Sequence, residues 1–468
     1  MNRNVFVYRL FGFLILLALV TACAGPAQET QAPPAVEPTA AEPAAPTAVE
    51  PTAPEPTVPP PIEEPTAAPQ EVIELTMWDI PESEPYTAWW TEYVAKFNAE
   101  HPNIQVTMEV FPTEVYKTKF VAALASNTLP DIFYQAPGPE TQTAFREGKI
   151  KSLEGLLHKE RWTEGAASQC SFDGKMVCMP LYLAPEYVYY NKNHFAQAGV
   201  DVQTWANPLQ PTWDEFTAAA EALKAAGIPP IALGNKDNWP GIQWMWSFES
   251  RFGGNEAFYD AVSGAGAYNS PAFLKAAEYT RLLAEKDWLT PGYNGIGGAD
   301  KYTLWTQEKG AMIWQGPWLL GYVPETAPEG FDYSFFIFPS FPDENPDYQG
   351  LIMAGVDALW ISATSAHPEA AAEFLNGFAD PEIAIDFAVK TQNVSVIKGV
   401  VPPAGQENEV IWQLGQVASQ APAYSPWWDI SGLPPAVNDE MLNMSQGLFV
   451  GEISPQEFVD RLEAAAGR

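Results

Sequence analysis

The composition of the chain changes sharply near residue 72, and this change limits what the chain can fold into. From Ala24 to about Gln70 the residues are mostly Pro, Ala, Glu and Thr, with no aromatic side chain. Such a segment buries too little apolar surface to offset the entropy lost on ordering, so we predict that it is disordered and, because of its prolines, extended. About 400 residues follow, which are too many for one ordinary core. The sequence therefore predicts two folded lobes behind a long spacer.

An apolar run from Phe11 to Val20 follows a basic start and precedes two small residues and Cys23. This order is typical of a secretory signal, and the run is shorter than the about 20 residues that a membrane span needs. The stretch Val20–Cys23 resembles a bacterial lipobox, which implies cleavage before Cys23 and lipid on its sulfur. We therefore predict a signal peptide at 1–22, a lipidated Cys23 with its tether at 23–72, and attachment to the extracytoplasmic face of the cell membrane. A plain cleaved signal with an incidental cysteine is the alternative.

The charge of the chain excludes several partners. Against 58 acidic side chains there are only 24 basic ones, for a formal net charge of −34. This balance argues against nucleic acid or an anionic lipid surface as the main partner. The four histidines are scattered and the cysteines lack paired ligand spacing, so we expect neither a metal site nor another cofactor.

Cys170 and Cys178 flank an Asp173-Gly174 pair, which is a strong hairpin signal. Outside the cytoplasm a disulfide is the natural state of such a pair. A two-residue loop would place Cys170 opposite Val177, whereas a three-residue loop would place it opposite Cys178. A local disulfide and two buried thiols are therefore both open.

Strand and helix patterns alternate through the first part of the folded region. This alternation predicts an α/β lobe with a largely parallel sheet. The predicted elements are strands at Ile73–Trp78, Ile104–Val110 and Asp131–Tyr134, with helices at Tyr86–His101 and Val115–Ser126. Further helices are predicted at Trp213–Ala226, at Pro271 to about Lys286, and at Glu369–Phe378, Pro381–Val389 and Pro455–Ala465.

Four blocks, in this order along the chain, resemble the extracellular solute-binding proteins of ABC importers, in particular the sugar-binding family that includes maltose-binding proteins. The blocks are Asn127–Ile132, the stretch from Asp173-Gly174-Lys175 through Met179-Pro180 to Tyr189–Gly199, Pro211–Phe216, and Lys309–Trp318. The resemblance runs from about Ile73 to the C-terminus.

This resemblance implies a periplasmic-binding-protein-like α/β fold, with two lobes, a hinge and a central ligand cleft. The N-terminal lobe would take 73–182 and 338–392, and the C-terminal lobe 183–337 and 393–468. It also implies a monomer that captures a carbohydrate, in particular an oligosaccharide, and delivers it to ABC permease subunits.

Side chains that follow the strands are candidates for the cleft wall, because open α/β sheets bind ligands beyond the carboxyl ends of their strands. Trp78 and Asp79 follow the first strand, and Gln135 follows the third. Glu186 lies just past the first expected lobe crossing, and Asp357 lies in a Gly-Val-Asp stretch.

Tryptophans beside polar or turn residues are the other candidates. A flat ring stacks on the apolar face of a sugar, while neighbouring carboxylates accept hydrogen bonds from its hydroxyls. The candidates are Trp239, Trp318, Trp427, Trp428 and Asp429. For Trp244 and Trp246, which lie in an apolar run, we predict core packing instead.

Two other functions remain open at this stage. A secreted glycoside-active enzyme would share an aromatic cleft and would need two carboxylates about 5–10 Å apart. A binding site for a polyamine or another non-sugar solute would use the same rings and carboxylates. No nucleophile elbow, His-centred triad or metal motif is present, but the plentiful carboxylates leave an enzyme open. The order of the four family-like blocks implies a binding protein without catalytic residues.

Overall fold

The computed structural model describes residues 72–428 and 433–468. The predicted signal peptide at 1–22, Cys23, all but the last residue of the predicted tether, and Asp429 lie outside the described residues. Within the described part, every helix is too short or too polar to cross a bilayer.

Twelve strands and sixteen α-helices make up the described part. The strands are β1 (Ile73–Asp79), β2 (Ile104–Val110), β3 (Ile132–Tyr134), β4 (Ser171–Phe172), β5 (Lys175–Met176), β6 (Cys178–Pro185), β7 (Tyr187–Asn191), β8 (Met312–Gln315), β9 (Tyr333–Phe336), β10 (Ile352–Ile361), β11 (Val394–Ser395) and β12 (Tyr424–Ser425). The helices are α1 (Glu84–Glu100), α2 (Thr113–Ser126), α3 (Pro139–Arg146), α4 (Glu164–Gln169), α5 (Lys192–Gln197), α6 (Trp213–Ala225), α7 (Trp239–Phe252), α8 (Gly254–Ser263), α9 (Pro271–Glu285), α10 (Asp300–Thr306), α11 (Val323–Thr326), α12 (Pro368–Phe378), α13 (Pro381–Thr391), α14 (Val410–Gln420), α15 (Pro435–Val450) and α16 (Pro455–Ala465).

The large sheet has seven strands, in the order β11-β6-β10-β3-β1-β2, with β12 paired to β10. Strand β1 runs parallel to β2 and β3, as predicted. The expectation of a largely parallel sheet is wrong, however, because β10 runs antiparallel to both β3 and β6. All ten residues of β10 are buried, as expected for a strand at the centre of a covered sheet.

The small sheet has three antiparallel strands in the order β8-β7-β9. The chain passes from the large sheet to the small one within a single residue, since β6 ends at Pro185 and β7 begins at Tyr187. It returns between β9 and β10. Strands β11 and β12, from the segment assigned by prediction to the C-terminal lobe, pair with β6 and β10 of the large sheet. The lobe boundaries themselves stay a prediction.

The hairpin β4–β5 has a two-residue loop at Asp173-Gly174, both with positive φ. As this loop length predicts, Val177 lies opposite Cys170 and donates its backbone N–H to the Cys170 carbonyl. Cys178 is the next residue, and in the structure it forms a disulfide with Cys170 across a Cα–Cα distance of 5.0 Å. The bond is therefore compatible with the shorter loop, because a disulfide tolerates a diagonal partner at this separation.

A buried arginine holds the connection between β9 and β10 against helix α7. Arg251 is 1% exposed, and its guanidinium donates to the carbonyl oxygens of Phe338 at 2.9 Å, Pro339 at 3.2 Å and Tyr348 at 3.0 Å. Burial lowers its pKa to about 10, so the side chain stays protonated at neutral pH. The returning segment is thus held by one charged group.

We expect Arg251→Met to destabilise the fold by about 3 kcal/mol or more, because it leaves buried carbonyl oxygens without their charged donor. Urea unfolding followed by tryptophan fluorescence measures this loss. The matched control is Arg161→Met, which removes an exposed arginine and should shift stability by no more than about 0.5 kcal/mol. Equal unfolding midpoints for the two variants would contradict the role given to Arg251.

Candidate functional site

A cavity of about 320 Å³ lies beyond the ends of several strands of the large sheet. Such a volume lies within the range of small-molecule sites, which starts at roughly 300 Å³. Segments that follow β1 and β2, together with β3, β6 and β10, supply part of its wall. Helix α7, the stretch 299–302, a short helix at Pro317–Tyr322 and the single residues Glu186, Asp237 and Trp427 supply the rest. The lining residues are Ile80, Pro81, Glu82, Pro112, Thr113, Glu114, Lys117, Tyr134, Tyr182, Glu186, Asp237, Trp239, Gln243, Trp246, Ala299, Tyr302, Trp318, Tyr322, Asp357 and Trp427.

The cavity brings together several of the residues that the sequence singled out. Its lining includes Glu186, Trp239, Trp318, Asp357 and Trp427. They come from the sheet crossing, helix α7, the turn after β8, strand β10 and the segment after β12, so distant parts of the chain meet here.

Other predicted residues lie outside the cavity lining. Trp78 packs edge-on against Phe111, with the ammonium of Lys119 4.0 Å from its ring centre. Gln135 uses its backbone carbonyl to accept from the Trp360 indole at 2.7 Å. Asp79 is buried directly behind the wall, next to Ile80.

Trp428 is also outside the lining, because it packs in the core. Its ring stacks on Phe258 with a centroid distance of 5.3 Å and contacts Phe273 and Trp246. Asp429 lies beyond the described residues, so its predicted contact stays a prediction.

Several lining residues were missed by sequence reasoning. Trp246 packs in the core as predicted, with 1% of its surface exposed and its ring against Trp428, but it also contributes to the cavity lining. Tyr134 ends β3, a position that the strand-end argument would have found if applied one residue earlier. Glu82, Tyr182 and Gln243 carried no distinguishing pattern.

Two glycines allow the rings of Trp318 and Trp427 to reach their positions. A Cβ on Gly316 would lie 2.1 Å from the Trp318 ring, and one on Gly355 would lie 2.9 Å from the Trp427 ring. The two indoles meet edge to face at 6.2 Å, and the Trp318 indole N–H donates to the Tyr302 hydroxyl at 2.9 Å. These contacts hold the two rings in the cavity wall.

A register shift in the large sheet positions an acidic group in the wall. Asp357 pairs with Tyr182, but the next residue of β10 pairs with Pro180, so β6 carries one extra residue at this point. Such bulges redirect side chains and are common beside functional sites. Both Asp357 and Tyr182 line the cavity.

Three carboxyl groups form a cluster at this wall, each with a tyrosine hydroxyl as donor. Tyr134 donates to Asp357, Tyr182 donates to Glu82, and Tyr86 donates to Asp79 at 3.2 Å. Asp79, Glu82 and Asp357 together are called the acidic cluster. No Lys, Arg or His of the described chain forms an ion pair with any of the three.

Burial without a counter-ion raises the pKa of every member of the acidic cluster. The pKa of Asp79 rises from 3.8 to about 8, and that of Asp357 rises to about 6, in both cases mainly because of desolvation. The pKa of Glu82 lies well above its usual value, first through desolvation and then through repulsion from Asp357. The wall therefore holds protons near neutral pH that exposed carboxyls would have released.

A second set of polar side chains, Glu186, Gln243 and Lys301, is joined by hydrogen bonds at helix α7. The Gln243 amide donates to Glu186 at 3.2 Å and accepts from the ammonium of Lys301 at 3.3 Å. Lys301 is 1% exposed and lies 5.0 Å from the centre of the Trp239 ring. Burial lowers its pKa to about 7.

Neither wall offers an arrangement that suits a metal ion. Among the residues that the structure describes, no group of three or more His, Cys, Asp or Glu side chains is placed to hold one.

The raised pKa of Asp79 predicts the direction in which stability changes with pH. Between about pH 4 and pH 8 the native state keeps a proton that the unfolded chain loses, so stability must fall as pH rises through this window, by at most about 1.4 kcal/mol per pH unit. We expect the melting temperature to fall less between about pH 5 and about pH 8 in Asp79→Asn than in the wild type.

The control for that experiment is Asp214→Asn, which removes an exposed carboxyl and so reports the general effect of the negative net charge. If Asp79→Asn and Asp214→Asn show the same pH dependence of melting temperature, Asp79 does not hold the proton.

Comparison with known proteins identifies binding proteins as relatives of this chain. The chain is 27% identical over 264 residues to a putative binding protein of Brucella abortus (strain 2308), a match that covers 54% of this chain and 60% of that relative's length. It is 26% identical over 295 residues to the multiple sugar-binding protein of Streptococcus mutans serotype c, covering 60% of this chain and 66% of the relative.

Solved structures agree with these relatives. A chitin oligosaccharide binding protein aligns with a TM-score of 0.77 at 25% identity, over 85% of this chain and 98% of that one. This alignment confirms the predicted periplasmic-binding-protein-like fold. The sequence profile described as bacterial extracellular solute-binding protein matches residues 81–385, well over half of the chain. The chain therefore belongs to the bacterial extracellular solute-binding protein family.

Proposed function

We propose that this chain captures a carbohydrate, in particular an oligosaccharide, in the described cavity and delivers it to the permease of an ABC importer. Lipid on Cys23 would keep the folded part near that permease, and the segment 24–70 would serve as its spacer. The protein would act as a monomer and without catalysis. The names of the relatives, a multiple sugar-binding protein and a chitin oligosaccharide binding protein, support a sugar ligand.

The observation that carries this proposal is the combination of indole rings and carboxyl groups around one cavity. Four tryptophans contribute to its lining: Trp239, Trp246, Trp318 and Trp427. Burying about 100 Å² of apolar sugar and ring surface is worth roughly 2.5 kcal/mol. A hydrogen bond to a charged group adds about 1.5–3 kcal/mol, and micromolar affinity needs about 8 kcal/mol. Two stacked rings and a few carboxylate bonds would therefore suffice.

The proposed lobes, 73–182 with 338–392 and 183–337 with 393–468, would close on the ligand by a hinge. Support comes from Glu186, which joins β6 to β7 and also lines the cavity. Hinges are commonly a few residues at the ends of elements that absorb the backbone change.

A second candidate function, glycoside cleavage, is favoured by one observation. Glu82 and Asp357 line the same cavity, and the raised pKa of Glu82 is what a general acid needs. The family match favours binding instead. Steady release of reducing ends from an oligosaccharide that the purified protein binds would overturn the non-catalytic proposal.

Binding is tested with the purified folded part and a broad panel of oligosaccharides. We expect at least one of them to change the tryptophan fluorescence and raise the melting temperature, since a ligand that binds only the native state stabilises it. If every carbohydrate is silent, the sugar proposal fails.

Trp318→Ala should weaken binding of that carbohydrate by at least tenfold, because it removes a ring from the cavity wall. The control is Trp205→Ala, which removes a half-buried indole that packs on Phe336 away from the cavity. Titration by fluorescence or calorimetry gives both affinities. An unchanged affinity in Trp318→Ala would show that this ring only packs against its neighbours.

Cys23→Ser tests the anchor. We expect the variant to lose lipid and to leave the membrane fraction, because a mature chain without acyl chains has no stable attachment to the bilayer. Membrane fractionation with mass spectrometry of the mature N-terminus measures this. A variant that is processed normally and stays equally membrane-bound would refute the lipidation proposal.

A further inference from the structure

We infer that the captured carbohydrate carries a protonated amino group, and that Glu82 and Asp357 bind this group. The inference rests on the proposed function, because it names a class of ligand for the same cavity. Four observations support it: the missing counter-ion, the occupied donors, the indole N–H groups that lack acceptors, and the rings beside the acids.

The missing counter-ion is the first observation. Buried carboxyl groups are normally paired with a cation, because an isolated buried charge is strongly destabilising. Two described lysines have other partners: Lys117, which lines the cavity, forms an ion pair with Glu114 at 3.1 Å, and Lys301 donates to Gln243. A cation on the ligand would supply the charge that the described chain does not.

The donors of the protein itself do not saturate this wall. The hydroxyls of Tyr134 and Tyr182 each donate to a carboxyl oxygen, to Asp357 and Glu82 respectively. The Oε2 atom of Glu82 accepts no well-aligned hydrogen bond in the described part of the chain, although it is shielded from bulk solvent and the Asn393 amide lies beside Glu82. An ammonium group, with three N–H donors, matches the acceptors that remain.

The indole N–H groups of Trp246 and Trp427 indicate that the ligand also offers acceptors. Both side chains line the cavity, are 1% and 4% exposed, and have no hydrogen-bond acceptor for Nε1 among residues 72–428 and 433–468. A fully protonated polyamine has no acceptor to give them. The hydroxyl and ring oxygens of a sugar can accept from them. A carbohydrate with an amino group would therefore satisfy both the carboxyl groups and the indole N–H groups.

Aromatic faces beside the acids add to the attraction. Trp318, Trp427 and Tyr322 line the same cavity as Glu82 and Asp357. A cation near such rings is stabilised by their π-electrons, and the effect grows when the cation is desolvated.

Proton exchange gives the inference a distinctive signature. The titratable groups that surround Glu82 and Asp357 are acids and phenols, namely Asp79, Tyr86, Tyr134, Tyr182, Tyr302 and Tyr322, and the Asn393 amide also lies beside Glu82. Their raised pKa values mean that the empty wall keeps protons. An ammonium ligand would favour the ionised carboxyls and release protons, whereas a neutral sugar would leave them in place.

The test compares sugars that differ in the substituent at one position of each ring, which is an ammonium, an acetamide or a hydroxyl group. Glucosamine and galactosamine oligosaccharides are titrated beside their N-acetylated and hydroxyl counterparts of equal length, with spermidine as a non-sugar cation. Calorimetry at about pH 6, in buffers of different ionisation heat, gives the affinity and the protons released. We expect the amine form to bind at least tenfold more tightly than its N-acetyl counterpart and to release protons.

The variants Glu82→Gln and Asp357→Asn keep the shape of each side chain and remove its charge. We expect each to abolish most of the amine preference and of the proton release, while a neutral sugar loses little affinity. Glu84→Gln is the matched control, because it removes an exposed carboxyl from the same segment and should preserve the preference.

The outcomes separate the inference from the proposed function. If neutral sugars bind as tightly as the amine forms or more tightly, the inference is overturned and the carbohydrate proposal stands. If spermidine binds and no carbohydrate does, both fail, and the wall is then a site for another cation. Binding by none of these ligands also overturns both. An amine preference that survives in Glu82→Gln and in Asp357→Asn overturns the assignment of these residues.

Discussion

The antiparallel pairing of β6 with β10 determines where a ligand cavity can form in this chain. Both strands lie inside the large sheet, with a neighbouring strand on each side, and both connect it to the small sheet. The register shift between them places Tyr182 and Asp357 in the cavity wall, and the bare backbone of Gly355 admits the Trp427 ring. Rings, carboxyls and the sheet crossing are therefore consequences of one strand pair.

Local patterns predicted the elements well but not their long-range assembly. Helix α6 starts at Trp213 as its Thr212–Glu215 capping box indicates, and α16 spans Pro455–Ala465 as predicted. The direction of β10 was not predictable from its own residues, because a buried, mostly apolar strand carries no signal for parallel or antiparallel pairing. The parallel expectation held for β1 to β3 and failed where the chain returns from the small sheet.

The same limit applies to the site. Trp318 and Trp427 were predicted from their loop-like settings and because the family that the chain resembles has stacking rings at the corresponding blocks, and both line the cavity. Trp246 was missed since it lies on an apolar helix, and nothing local distinguishes the turn of α7 that meets the cavity. Glu82 was missed because only the fold brings it beside Asp357. Three of the five predicted tryptophans and two of the three described acidic candidates line the cavity, so rings and charges were placed about equally well, and their contact with a ligand stays a prediction.

Glu186 combines two roles that most sites keep apart. Its backbone N–H donates to the Met353 carbonyl of β10 at 2.8 Å, while its side chain accepts from Gln243 of α7. A substitution of Glu186 would change both the connection between the two sheets and the surface that lines the cavity. Trp239 and Trp246 on α7 line the cavity without belonging to the connection between β6 and β7. As chains of this kind diverge toward new ligands, changes should therefore accumulate on the helix and spare the crossing residue.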